Sequence, residues 1–567
     1  MYIKSVSIEN FRGLSISVDN LDKDFLLIGK NDSGKSNFCY AIRKVLDYDI
    51  RKTPLNEADS SNFNKKPITI EIVFNLDGIS KANRSKLGTY IDKVGDVETL
   101  TARYEGIFNE SIQFYEEKII FGTIDQSYER GTNWSNDLDK VVEVIYINPN
   151  YNYEKEESNF LRYKQVKSVE RKAIVNPDII NSVEVLNTHI KSDPAIIEIK
   201  VDLNSQDGFD SIFEDVQFDM TSDISVSNIF KSLNIVPLNK DGKEINSIGD
   251  GKNKTLSMLL QKMSHDDEKH SVLIVEEPEN HLYPLLQKHY ADLTSKMNMS
   301  QVIYTSHSPH IIDFKKMNQI VKVVSWYEGE ERKTTSHSIN ISKNDYSKFG
   351  FLLNEEIAEM FFYDRVLLVE GISEKYFYNA LFLQNEEFRK YVVANKMGVF
   401  CVMGIDFAPA RKLLTQLGVS VLIKTDNDIF KVPNIDKKRY AGYDRVLNCL
   451  SEESKKKLCT LLGKDEIDKE TFRFDATKEM DEWIEEKIDK INSIFESEGI
   501  YISSGHNGFE EDFLDFIGES LIDSEDLEYL KEAKLKNLHK YVQEKGIVLN
   551  ITEDNKNSVL VRFMNNG

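Results

Sequence analysis

The eight residues Gly29-Lys30-Asn31-Asp32-Ser33-Gly34-Lys35-Ser36 constrain this chain more than any other stretch. They fit G-x-x-x-x-G-K-[ST], a pattern that gains meaning from its flanks. Before it, Phe25-Leu26-Leu27-Ile28 is an unbroken apolar run that reads as a buried strand. After it, Phe38, Ala41, Ile42, Val45 and Leu46 recur at i, i+3, i+4, i+7 and i+8, the apolar face of a helix over Lys35–Leu46. A strand, a glycine-rich turn and a helix in that order predict a phosphate-binding loop. Backbone N–H groups over Gly29, Asn31, Asp32, Ser33 and Gly34 would wrap phosphate oxygens, and the helix N-terminus adds partial positive charge. Lys35 is expected to reach the β- and γ-phosphates and Ser36 to ligate Mg²⁺, so the expected ligand is ATP with Mg²⁺. The plain alternative, a glycine turn in a surface loop, does not need those flanks.

A phosphate site of this kind also needs carboxylates on a second strand. Val272-Leu273-Ile274-Val275-Glu276-Glu277-Pro278 supplies two at the end of an apolar run. Glu276 is expected to hold the hydrated Mg²⁺ and Glu277 to orient an attacking water. Thr305-Ser306-His307-Ser308-Pro309 follows the next apolar run and places His307 to sense a γ-phosphate, or merely to hydrogen-bond within its loop. Ser247-Ile248-Gly249-Asp250-Gly251 precedes a helix-like stretch, Lys254–Met263. It can serve a nucleotide held by a second subunit or be an ordinary glycine turn.

Together with Ile8-Glu9-Asn10-Phe11-Arg12-Gly13, these segments resemble the ABC-type ATPase heads of the RecF, SMC and Rad50 group over about 1–150 and 230–345. The resemblance implies nucleotide sandwiched between two heads. Two departures point to nucleotide that gates more than it fuels: Glu276 stands where that group has aspartate, and Ser247–Gly251 lacks the LSGG form.

A second constellation lies downstream. Arg365-Val366-Leu367-Leu368-Val369-Glu370-Gly371 reads as a buried strand ending in a carboxylate, and Glu374 follows in the first turn of a helix over Ser373–Phe382. Val419–Thr425 reads as another buried strand, ending Asp426-Asn427-Asp428. Residues i and i+2 of an extended chain point the same way, so both aspartates should face one side. Hard oxygen ligands suit Mg²⁺ or Mn²⁺. Taken singly, acidic residues after strands are commonly solvated turns.

The E-G-x-x-E and D-x-D pattern resembles the Toprim domain. Toprim behind an ABC head resembles the OLD family of nucleases, in particular its Gabija anti-phage branch, through Val144–Asn148, Ile423–Asp428 and the tail. The resemblance implies two ions held by Glu370, Glu374, Asp426, Asp428 and Asp512, with Lys534 offsetting charge on the phosphate. From their own surroundings Asp512 and Lys534 would pass equally as solvated faces of charged helices. The resemblance further implies double-stranded DNA as substrate, a homo-oligomer (a dimer at least, a tetramer by expectation) and a UvrD-like helicase partner. It also implies that ATP restrains cleavage.

The expected fold is α/β. An ABC-type head with a mixed sheet is expected over 1–150 and 231–350, a helical dimerisation insertion over 151–230, and a Rossmann-like Toprim domain with a helical tail over 351–567. The formal charge of −22 excludes a protein that coats nucleic acid by bulk charge. Local grooves remain open at Lys424, Lys437-Lys438-Arg439 and Lys531–Lys540. Four cysteines without a CxxC pair, an N-terminus without an apolar signal core and no long apolar run point to a cytoplasmic protein with no membrane partner. The competing function class is a nucleotide-switched DNA-binding ATPase with a vestigial Toprim site.

Overall fold

The computed structural model describes residues 1–122, 127–132, 136–148, 185, 188–189, 192–206, 216–222, 233–244, 249–263, 269–312, 319–340, 355–402, 407–475, 487–503 and 538–539, apart from 281, 298, 385 and 469. The chain divides into two compact units, Met1–Ser347 and Lys348–Gly567.

The first unit packs one helix between two sheets. Strands β1 (Tyr2–Phe11) and β2 (Leu14–Val18) pair antiparallel, as the alternation of apolar residues predicts. β3 (Asp24–Gly29) leaves them for the second sheet and runs into α1 (Lys35–Leu46), with the bounds predicted from its periodicity. β4 (Ile68–Asn75), β5 (Ile91–Val94), β6 (Val97–Asn109), β7 (Phe114–Gly122) and β8 (Ser127–Gly131) complete an antiparallel sheet ordered β2-β1-β4-β6-β7-β8, with β5 on β6. In β4 buried and half-buried residues alternate strictly, because only one face of this sheet meets the core.

The second sheet holds β9 (Val142–Ile147), β12 (His270–Glu276), β13 (Gln301–Ser306), β14 (Gln319–Glu328) and β15 (Glu331–Asn340) in the order β15-β14-β3-β13-β12-β9. Between β9 and β12 the chain forms the antiparallel ribbon β10 (Gln217–Ser222) and β11 (Leu233–Leu238), then α2 (Asp250–Met263); α3 (Pro284–Ser295) joins β12 to β13. All pairings in this six-stranded sheet are parallel except β14 with β15, so the sheet is mixed. β3 and β13 are buried along nearly their whole length, which explains why their sequences read as continuous apolar runs. Phe38, Ala41, Ile42 and Val45 of α1 share one core cluster with Ile8, Ile70 and Leu100 of the first sheet and Leu27, Ile274 and Ile303 of the second. Each such side chain contributes about 1.5–3 kcal/mol on burial, which fixes the helix and the loop that opens it.

The second unit is built on a four-stranded parallel sheet: β16 (Arg365–Val369), β17 (Met397–Cys401), β18 (Ser420–Thr425) and β22 (Ile500–Ile502), ordered β17-β16-β18-β22. α4 (Ile372–Gln384) follows β16 and α5 (Phe407–Gln416) precedes β18. After β18 comes a small antiparallel sheet of β19 (Ile429–Lys431), β20 (Lys437–Tyr440) and β21 (Arg473–Asp475). α6 (Ala441–Val446) leaves β20, and α7 (Ile488–Ser497) leads into β22.

Residues 504–537 and 540–567 of the tail, expected to be helical, lie outside the described residues; its described part holds α7 and also the two strands β21 and β22. Each is three residues long, too short for a period-2 pattern to register. Within the insertion expected to be helical, Pro194–Asn204 is a helix and Gln217–Ser222 is the strand β10; residues 149–184 lie outside the described residues.

Candidate active sites

In the first unit the loop Gly29–Ser36 is shaped by two glycines with no room for a side chain. A Cβ on Gly29 would lie 2.5 Å from both the Ser33 hydroxyl and the Val323 carbonyl, and one on Gly34, at φ 110°, would collide with Leu14. Lys35 is 5% exposed, and its ammonium donates to the carbonyls of Gly29 and Lys30, both at 2.9 Å. Burial lowers its pKa, while the carboxylates of Glu277 and Glu279 act the other way. The Ser33 hydroxyl is buried without a hydrogen-bond partner.

Glu276 ends β12 and is buried. Burial raises its pKa, and hydrogen bonds from the hydroxyls of Ser36 and Tyr146 oppose that. The two residues expected to hold Mg²⁺ beside the nucleotide are therefore in contact. Glu277 sits at φ 42°, an uncommon conformation for a residue with a side chain. Its carbonyl accepts from the ammonium of Lys254 on α2 at 2.8 Å. Lys254 is almost fully buried, and desolvation lowers its pKa to about 8. His307 Nδ1 lies 3.3 Å from Glu279 and 3.7 Å from Glu277, and Glu279 also accepts from the Ser306 hydroxyl and the His307 amide. Arg332, at the start of β15, donates to the Asp32 carbonyl at the apex of the loop. Ser247 and Ile248 lie outside the described residues.

In the second unit the acidic residues follow the C-terminal ends of neighbouring parallel strands, the edge at which open α/β sheets bind ligands. Leu368 pairs with Ile423, so Glu370 comes level with Thr425, whose hydroxyl donates to the Glu370 carboxylate at 3.2 Å. Glu374 is buried in the first turn of α4, and its carboxylate lies close over Gly371, where a Cβ would stand 2.6 Å from it. Asp426 is buried, and Asp428 is half-buried in the loop between β18 and β19. That loop is clamped by α6: the Ala441 amide donates to the Asp428 carbonyl at 2.9 Å, and a Cβ on Gly442 would lie 2.6 Å from the Asp426 carbonyl.

From the same helix Arg445 reaches Glu370 at 2.5 Å and the Asp426 carbonyl at 3.4 Å. Among the described residues no three His, Cys, Asp or Glu side chains stand close enough together to hold a metal ion. Asp512 and Lys534 lie outside the described residues. The donor chemistry still fits a hard divalent cation. Carboxylates follow two paired strands, and a guanidinium stands on one of them as a stand-in positive charge. Lys424, expected to line a groove, is instead 7% exposed and donates to the Ser503 hydroxyl at 3.0 Å, because it points inward from a sheet strand. Sequence reasoning had no signal for Arg445, Arg332 or Lys254, each an unremarkable basic residue until folded.

Residues 1–312 match the family described as AAA ATPase domain, and residues 361–428 match the Overcoming lysogenization defect protein-like TOPRIM domain. The chain is 27% identical to Endonuclease GajA of Bacillus cereus (strain VD045) over 95% of its own length and 94% of that protein's. It is 22% identical to the Old nuclease of Escherichia phage P2, over 75% of this chain and 76% of that one. Among solved structures, an SMC head bound to the C-terminal winged-helix domain of ScpA overlays 61% of this chain and 99% of its own, at 14% identity and a TM-score of 0.39.

Proposed function

Because the chain belongs to the AAA ATPase domain family and carries an OLD-like TOPRIM domain behind it, we propose that it is a nucleotide-regulated, metal-dependent DNA endonuclease of anti-phage defence. The observation that carries this reading is the placement of Glu370 and Asp426 after two paired parallel strands, with Glu374 closing over Gly371 beside them. Near full-length similarity to an endonuclease supports the same reading.

Glu370, Glu374, Asp426 and Asp428, with Asp512, are the residues that would hold Mg²⁺ or Mn²⁺, two ions by the family resemblance. Such ions, when bound, supply an acidified water and neutralise phosphate charge. The chain's own part is positioning. Thr425 and Arg445 orient the Glu370 carboxylate, and α6 fixes the loop that carries Asp426 and Asp428. Lys534 would offset charge developing on the phosphate.

On the nucleotide side, backbone N–H groups over Gly29, Asn31, Asp32, Ser33 and Gly34 would hold the phosphates of ATP. Lys35 would exchange its two carbonyl partners for phosphate oxygens. Ser36 and Glu276 would take Mg²⁺, Glu277 would orient water, and His307, already on Glu279, would register the γ-phosphate. In this reading ATP restrains cleavage. The working form is a homo-oligomer, at least a dimer and by resemblance a tetramer, acting in the cytoplasm on double-stranded DNA beside a UvrD-like helicase. No helix among the described residues is long and apolar enough to cross a membrane.

One observation favours a second reading, a nucleotide-switched DNA-binding ATPase with a vestigial Toprim site: Arg445 already neutralises Glu370. Nicking of supercoiled plasmid in Mg²⁺ or Mn²⁺ separates the two. Wild type should cut, while Glu370→Ala and Asp426→Ala should not. Equal activity in all three would refute the nuclease reading. Adding ATP should slow the wild type, and unchanged or faster cleavage would count against restraint.

A further inference from the structure

The small sheet that begins immediately after Asp428 carries a row of side chains that the cleavage chemistry does not use. Phe430 on β19 pairs with Arg439 on β20, which pairs in turn with Arg473 on β21. Directly opposed residues in antiparallel strands project from the same face, so the three form one line across the sheet. Tyr440, next along β20, turns to the other face and packs on Phe474, with ring centroids 4.9 Å apart. That assigns the Phe430 row to the outer face, where Phe430 is 45% exposed.

Two arginines directly opposite one another are repulsive in a sheet unless something negative lies between them. What the protein supplies is partial. Arg439 pairs with Asp444 at 3.1 Å, and Arg473 with Glu470 at 3.2 Å, the latter carboxylate two-thirds exposed and therefore strongly screened. Both guanidiniums leave their Nε buried without a hydrogen-bond partner. Lys437 lies on the same face beside them, opposite Asp475. A strand rises about 3.3 Å per residue, so Phe430 stands about 7 Å along the chain from Asp428.

We infer that the Phe430–Arg439–Arg473 row is a docking surface for the phosphodiester backbone of DNA, delivering the strand to the acidic site beside it. The inference rests on the nuclease reading and names where its substrate binds. Two forked guanidiniums suit phosphate oxygens, and an exposed aromatic beside them offers a face to sugar or base. The row also eases the conflict between a polyanionic substrate and a chain of net charge −22, because it gathers positive charge where the backbone would pass.

The test is anisotropy of a fluorescent duplex with the full chain in EDTA, where binding is read without cleavage. Arg439→Gln with Arg473→Gln should weaken binding at least tenfold near physiological salt. The slope of log K against log salt should become shallower by about 2. ATP binding should be unchanged. Phe430→Ala, which removes no charge, should weaken binding severalfold with the salt slope intact, and it carries the test if the double variant fails to fold. Wild-type affinity and slope in these variants would overturn the docking surface while leaving the nuclease reading standing. A wild type that neither binds nor cuts DNA would remove both. Polyglutamate displacing the duplex as well as unlabelled DNA does would overturn the assignment to DNA.

Discussion

Replacing Arg445 by Met removes the guanidinium that pairs with Glu370 while keeping a side chain of similar length. In the pair as folded, the Arg445 side chain is 26% exposed and that of Glu370 is 21%. That lies between a surface pair, worth about 0–1 kcal/mol, and a buried one whose breaking costs about 3–5 kcal/mol. About 2 kcal/mol is the reasonable expectation, with part of the loss softened by the Thr425 hydroxyl that remains on the same carboxylate. For a unit of this size that lowers the Tm by about 4–8 °C. The same change should favour cation binding, because a divalent ion at Glu370 no longer competes with a guanidinium. A tenfold gain in metal affinity returns about 1.4 kcal/mol of stability at saturating ion. The assay is therefore calorimetric melting of wild type and Arg445→Met, in EDTA and again in Mg²⁺ or Mn²⁺. The variant should melt lower in EDTA and recover more than half the deficit in metal. An identical metal-induced rise in Tm for the two proteins would refute the idea that Arg445 and a cation share Glu370.

Other outcomes follow from single contacts. Lys35→Ala should weaken ATP binding by about a hundredfold or more in a calorimetric titration, since it deletes two charge-assisted contacts to phosphate, while metal binding by the second unit stays as in wild type. Gly371→Ala should lower metal affinity with little change in far-UV circular dichroism, because the new Cβ would displace the Glu374 carboxylate, 2.6 Å away. Burial lowers the His270 pKa to about 4, so stability associated with its neutral form is complete above about pH 6.5 and declines as pH falls towards 4. His270 is partly buried, so solvent screening leaves about 1–2 kcal/mol; a His270→Gln variant should show a flatter acid limb in denaturant titrations across that window.

Much of the site was legible because its determinants are local. The loop at Gly29–Ser36 is announced by an apolar strand before it and a helical period after it, and α1 has the predicted bounds. The strands that end at Glu276 and just before Glu370 and Asp426 read clearly because residues buried on both faces leave a continuous apolar signature. What escaped notice is made at a distance. Arg445 meets Glu370 across 75 positions, and Arg332 meets the Asp32 carbonyl across 300, spans over which no sequence period carries information. In the sequence Lys254 only opens a helix-like stretch, and the fold shows it buried beneath Glu277. The Phe430 row escaped for a related reason. Its strands are three or four residues long, and the opposition of Arg439 to Arg473 exists only through pairing.

The account rests on carboxylates of the second unit meeting around divalent cations. The most direct measurement is diffraction from crystals grown in Mn²⁺, with anomalous scattering used to locate the metal. The prediction is strong peaks within ligand distance of Glu370 and Asp426, with the Arg445 guanidinium swung off Glu370 to admit them. Fully ordered carboxylates at saturating Mn²⁺ with no anomalous peak between them would contradict it.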